Sequence, residues 1–331
     1  MGTLIQGARN AVQTCMNVKM GEHVLIVTDR PRLEIGEALR KEAEFLSPGN
    51  TKLFVLEDFV SRPMKDLPQQ IFKELPSANV TFWATDSMKG EVTSRMKFLR
   101  EVLKYARHGH MPNITRQVME DGMCSDYNEI YRITTKVHEV VKKARKFRVT
   151  NPAGTDLEVE LNPSWRWKLA HGLYHEKGEW GNLPEGEIFT AAYRANGTMV
   201  IDLLGDFFDK KYGIMTDSPL RIKVKNSRAD VESIETKNQE LKKELQAYLK
   251  TDGNSDRLGE FALGTNMSLK KLIGNLLQDE KFPTVHCAFG DPYSDETGAD
   301  WKSKTHVDGI MIDCTVTADN KKIMEKSQYL L

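Results

Sequence analysis

Three short apolar runs near the N-terminus, residues 23–29 (HVLIVTD), 52–57 (KLFVLE) and 80–85 (VTFWAT), are separated by charged, helix-favouring stretches at 33–46 and 67–74. Ser47-Pro48-Gly49-Asn50 breaks the chain after the first of those stretches. Strands that alternate with helices pair in parallel and carry the helices on their faces. Residues 1–147 are therefore expected to form an α/β domain around a parallel sheet. A dinucleotide-binding reading fails at the first strand-to-helix turn. Thr28-Asp29-Arg30-Pro31-Arg32 has no Gly-x-Gly to admit a pyrophosphate, and no Walker-type loop occurs in the chain.

The period then changes. Residues 127–148 read as an amphipathic helix with Ile130, Ile133, Val137, Val140 and Val141 on one face. Residues 146–161 alternate about a Pro-Ala-Gly-Thr-Asp turn and read as a hairpin. This places a domain boundary near 144–150 and a strand-rich α+β domain at 148–331. Strands are expected at 187–192, 199–204, 221–224, 260–264, 284–289 and 306–312. One helix is expected at about 228–250, with Val231, Ile234, Leu241, Leu245 and Tyr248 on its apolar face.

Composition narrows the function. Lys+Arg and Asp+Glu are both 47 in 331 residues, so no net field draws the chain to nucleic acid or an anionic membrane. No apolar run reaches the ~18 residues of a membrane helix. The four cysteines, at 15, 124, 287 and 314, are scattered and form neither a disulfide framework nor a Cys-x-x-Cys knuckle. The N-terminus lacks a basic-then-apolar leader, so a cytoplasmic protein is expected.

Eight histidines can be sorted by context. His108-x-His110 has a spacing that could hold a metal but reads as a Gly-flanked loop. His171 and His175 have helical i, i+4 spacing, yet no Glu follows the first as in His-Glu-x-x-His. His306-Val307-Asp308 is stronger, because residues two apart on a strand project to the same side. His286 opens a second such strand (HCAFG), with Tyr293 three residues beyond Gly290. Glu260 in GEFALG and Glu187 in EGEIFT are carboxylates set in apolar, Gly-bounded strands, where an unpaired charge is costly. A shared divalent-metal site accounts for Glu187, Glu260, His286, His306 and Asp308 together.

The runs NLPEGEIFTA, LGEFALG, HCAFGDPY and HVD, in that order, resemble those of the aminopeptidase T / aminopeptidase S family of dinuclear metallopeptidases. The pattern His-x-Ala-x-Gly-x-x-Tyr is met by His286, Ala288, Gly290 and Tyr293, and the turn NPAGTDL at 151–157 is similar too. The resemblance extends over about 150–312. It implies metal ligands at Glu187, Glu260, His286, Tyr293, His306 and Asp308, and a general base at Glu280, which lies one residue further from its histidine than the family spacing. It also implies two divalent ions (Zn, Co or Mn), a metal-bridged hydroxide that attacks the N-terminal peptide bond, and a homodimer. The chain is shorter than those peptidases. The same architecture includes ring-cleaving dioxygenases that act on dihydroxypyridines with a single iron. That alternative needs only His286, His306 and one carboxylate, Asp308 or Glu260. Finally, loop 291–305 carries Asp291, Asp295, Glu296 and Asp300 beside Tyr293 and Trp301, and is expected to form an acidic rim that favours a protonated N-terminus or basic side chains.

Overall fold

The computed structural model describes residues 2–331. It divides into two compact units, Met1–Tyr131 with His171–Glu185, and Arg132–Ala170 with Gly186–Leu331. No helix among the described residues is long and apolar enough to cross a membrane.

The first unit is built on the expected parallel sheet. Its five strands lie in the order Thr51–Val55, Val24–Thr28, Val80–Ala84, Arg107–His110 and Trp180–Asn182, all parallel. The helix Leu33–Leu46 joins the first two in sequence. Leu25, Val27, Ile71, Trp83 and Phe98 form its buried core. Two local expectations are corrected here. His108 and His110 stand on a strand rather than in a loop. His171 and His175 lie in an irregular segment, so their spacing is not helical.

The second unit holds two antiparallel sheets. One has eight strands, running from Arg228–Glu235 to Gln328–Tyr329 and including the hairpin Lys146–Thr150/Asp156–Glu160. The other has six, in the order Leu203–Leu204, His306–Met311, Val285–Gly290, Leu258–Gly264, Glu187–Thr190 and Lys168–Ala170. Together the units make a mixed α/β chain with a parallel-sheet region and a strand-rich antiparallel region.

The helix expected over 228–250 begins later. Residues 228–235 form a strand, paired with Leu220–Lys225, and the helix is Gln239–Tyr248. Asn226 and Ser227 both adopt left-handed backbone (φ 50° and 64°), the geometry of a tight hairpin turn, which returns the chain to its partner strand. Asn238 then caps the helix, its side chain accepting from Glu240 N and Leu241 N.

Register in the six-stranded sheet decides which side chains meet. Ala262 faces His286, Glu260 faces Ala288, Ala288 faces Asp308, and Gly290 faces His306. Phe189 faces Ala262, and Glu187 faces Gly264. Paired residues share a face and alternate residues do too. Glu187, Glu260, His286, His306 and Asp308 therefore project from one face. The intervening residues Ile188, Phe261, Leu263, Cys287, Phe289 and Val307 project from the other, into the core of this unit.

Candidate metal centre

The carboxylates and imidazoles expected on sequence grounds converge. Three groupings of potential ligand atoms lie within 4.8 Å of one another: Glu187, Glu260 and His286; Glu260, His306 and Asp308; and Glu280, His286 and Asp308. Ala262 and Ala288, between the ligands on the same face, leave the space. A bulge at Gly259 sets the register of Glu260. Gly259 is required there, because a Cβ would stand 2.6 Å from the Gly290 carbonyl.

Glu260 links the first two groupings, as His286 links the first to the third and Asp308 the second to the third. Glu260 Oε1 lies 3.4 Å from His286 Nε2 and its Oε2 lies 3.5 Å from His306 Nε2. Glu187 Oε2 is 3.1 Å from His286 Nε2, and Asp308 Oδ1 is 3.5 Å from His306 Nε2. The 3.1 Å contact is misaligned for a hydrogen bond. Glu187 Oε2 and both nitrogens of His286 are buried without a hydrogen-bond partner. Leaving such atoms unpaired costs about 1–3 kcal/mol each. A divalent cation between Glu187, Glu260 and His286 satisfies two of the three, so the residues present fit a metal.

Neighbouring groups orient the ligands. His306 Nδ1 donates to the Asp291 carbonyl at 2.8 Å, which leaves Nε2 as the nitrogen facing the cluster. The Tyr248 hydroxyl accepts from His306 N and donates to Asp206 Oδ2 at 2.7 Å. Lys281, which sequence reasoning missed, is fully buried and donates from Nζ to Glu187 Oε1 at 2.6 Å; it also lies 2.8 Å from Glu280 Oε1. Its only sequence signal is its place beside Glu280.

Proton affinities follow from burial and charge. Burial drives Glu280 up to about 8 and raises Glu260. Burial also opposes charge on Glu187 and Asp308, but Lys281 and His286 pull the first below its usual range and His306 does so for the second. Burial disfavours both imidazolium ions. The surrounding carboxylates nevertheless raise His286 strongly and bring His306 to about 10. Without a metal the two imidazoles therefore hold a proton more tightly than a free histidine, and metal entry displaces it.

Tyr293 lies at the edge of this cluster. Its backbone is left-handed (φ 51°), an unusual state for a bulky residue. Its ring is 4.5 Å from that of His306 and 5.8 Å from that of Phe189. The residue is 44% exposed. Its phenol is nevertheless raised well above the usual range, by burial and then by Glu260, Asp308, Glu280 and Glu187.

The acidic loop beyond it is partly engaged. Asp291 accepts from Tyr293 N and Ser303 N, and Glu296 pairs with Lys168 at 2.9 Å. Two of the four carboxylates expected to form an acidic rim are thus engaged within the protein.

The other histidine pair has no such surroundings. His108 Nε2 is 3.1 Å from His110 Nδ1, and its Nδ1 is 2.6 Å from the Thr81 hydroxyl.

The thermophilic metalloprotease (M29) family model matches residues 108–312, well over half of the chain. The chain belongs to that family. This M29 chain is a metallopeptidase, a hydrolase that uses divalent metal. Among solved structures it is similar to wild-type AmpT from Thermus thermophilus, at 16% identity and TM-score 0.73, covering 99% of each chain. It is also similar to 2,5-dihydroxypyridine dioxygenase from Pseudomonas putida KT2440, at 16% identity and TM-score 0.70, covering 98% of this chain and 96% of that one. At such identity these likenesses establish the shared fold alone. No curated protein matches the chain.

Proposed function

We propose that this M29 chain is an aminopeptidase that hydrolyses the N-terminal peptide bond of peptides with two divalent ions. The observation that carries this is Glu260, whose two oxygens address two different histidines. One set is Glu187, Glu260 and His286; the other is Glu260, His306 and Asp308. These donors suit Zn, Co or Mn. When bound, such ions would supply Lewis acidity that lowers the pKa of an attacking water and polarises the scissile carbonyl.

The chain's own groups do the rest. Glu280, which lies beside Lys281 and is grouped with His286 and Asp308, would take the proton of the attacking water and deliver it to the leaving amine. Tyr293 donates its phenol proton to the carbonyl oxygen as charge develops there, or contacts a metal directly. Lys281 balances the charge of Glu280. The three remaining carboxylates then carry about −3 against two divalent cations, a balance that one hydroxide completes. A homodimer belongs to the same proposal and rests on the family resemblance.

A single-iron dioxygenase would need only two histidines and one carboxylate. It would leave Glu187 and the second oxygen of Glu260 without a role. One experiment separates the readings: metal content per protomer, with turnover of aminoacyl-p-nitroanilides against dihydroxypyridines. Two equivalents and release of p-nitroaniline support the peptidase. One iron with ring cleavage overturns it.

A further inference from the structure

Away from the metal ligands, the second unit has a cavity of about 240 Å³ lined by Tyr193, Arg194, Asn226, Arg228 and Arg257, among others. Three guanidinium groups facing one cavity repel each other unless something neutralises them. Only Arg228 is paired with a carboxylate, Asp256, and it also donates to the Gly253 carbonyl at 3.0 Å. The guanidinium groups of Arg194 and Arg257 donate no hydrogen bond to any acceptor among the described residues. Asp300 lies near Arg257 without bonding to it.

The cavity walls are fixed beforehand. Arg257 lies with its guanidinium carbon 3.5 Å from the ring centroid of the buried Trp301, a stacked arrangement that holds the group while its in-plane N–H donors stay available. Trp165 packs against both Trp301 and Tyr193, with ring centroids 5.5 and 5.7 Å away, and Arg194 lies over Tyr193. The hairpin turn on the opposite side is tied down. Asn226 N donates to Asn196 Oδ1 at 2.8 Å, and the Ser227 hydroxyl accepts from Ala195 N and donates to the Tyr193 carbonyl. A guanidinium group held by stacking, as Arg257 is, with a second one beside an exposed aromatic ring, as Arg194 is, supplies the elements that recognise a planar or tetrahedral oxyanion.

We propose that the cavity between Arg194, Arg228 and Arg257 binds an oxyanion, the phosphate or carboxylate group of a small ligand, at a site separate from the metal centre. Arg194 and Arg257 supply the donors, Arg228 supplies further positive charge, and Tyr193 gives an apolar wall to the part of the ligand next to the anion.

Calorimetric titration of the metal-loaded protein with inorganic phosphate, and separately with succinate, at constant ionic strength tests this. Saturable binding of either probe is expected, and the stronger of the two identifies the ligand class. Arg194→Glu should weaken it at least about tenfold, as loss of a charge-assisted contact does. This exposed residue can be reversed in charge without disturbing the core. Arg257→Gln should weaken it similarly. Glu260→Gln, which alters the metal centre, should leave it intact. Absence of saturable binding, or binding that survives Arg194→Glu but is lost in Glu260→Gln, overturns the proposal.

Discussion

Lys281 Nζ lies 2.6 Å from Glu187 Oε1, inside a protein that leaves the lysine no exposed surface. One oxygen of Glu187 is thereby fixed, and the other is left to face His286. Lys281→Met keeps the length of the side chain and removes the charge. Glu187 and Glu280 would then be buried without their cation. Breaking a buried pair costs about 3–5 kcal/mol, and loss of an outer-shell partner weakens metal affinity about 10–100-fold. Chelator competition on the purified variant measures the second quantity; unchanged affinity would show that Lys281 does not hold Glu187 for the metal.

Glu260 and Glu187 should differ in kind. Glu260 addresses both histidines, so Glu260→Ala is expected to lose all bound metal. Glu187→Ala should lose one equivalent and keep the set at His306 and Asp308. Elemental analysis after gel filtration reads both, and full retention of metal by Glu260→Ala would refute the shared-ligand geometry.

Glu280→Gln is expected to retain metal and lose rate by about 10²–10⁴-fold, the usual contribution of a general base. A turnover number within a few-fold of wild type would move that role to another group.

Tyr293→Phe removes one oxygen and keeps the ring that packs on His306 and Phe189. A donor aimed at developing charge is worth about 10²–10³-fold in kcat. A ring that only packs would cost little, so near-wild-type turnover by a stably folded variant ends the catalytic role for this residue.

His108 and His110 make stability depend on pH. Burial lowers His108 to about 3, and burial together with Arg95 and His108 lowers His110 well below its usual range. The folded protein keeps both neutral, while the unfolded chain protonates them near pH 6.5. Below that pH the unfolded state binds more protons, so stability falls with acid. The contribution is complete above about 6.5 and, for His108, lost progressively down to about 3. The slope is about 1.4 kcal/mol per pH unit for each histidine. Denaturant titrations from pH 7 to 5 should show it, and His108→Gln should reduce it by one histidine's share. An unchanged slope in that variant would mean that His108 is protonated in the folded protein.

Much of the centre was legible because burying charge is costly. Glu187 and Glu260 stood out as carboxylates in apolar strands, and His306 and Asp308 as strand residues two apart. The parallel sheet was legible from the spacing of its apolar runs. Lys281 was not, because a lysine beside Asp-Glu in a short turn has the composition of a solvated surface. The strand at Arg228–Glu235 was read as helix because Val231 and Ile234, three apart, also fit a helical face. What the pattern lacked was the Asn226-Ser227 turn, whose left-handed backbone is set by geometry and not by hydropathy. The return of residues 171–185 to the first unit has no local signal, since it depends on contacts distant in sequence.

The alternation of faces in the six-stranded sheet has a consequence for how this centre can vary. The five candidate ligands on its strands hang from hydrogen-bonded neighbours, so the ruler between them is the spacing of strands, roughly 4.8 Å. The connecting segments contribute only the groups around these five, namely Glu280, Lys281, Tyr293 and the Asp291 carbonyl. A single residue gained or lost within His286–Gly290 or His306–Asp308 would act as a frameshift in space, turning imidazoles and carboxylates into the apolar core and phenylalanines toward the substrate. The reading frame of these few strands, counted residue by residue, is therefore what spells the five groups they carry.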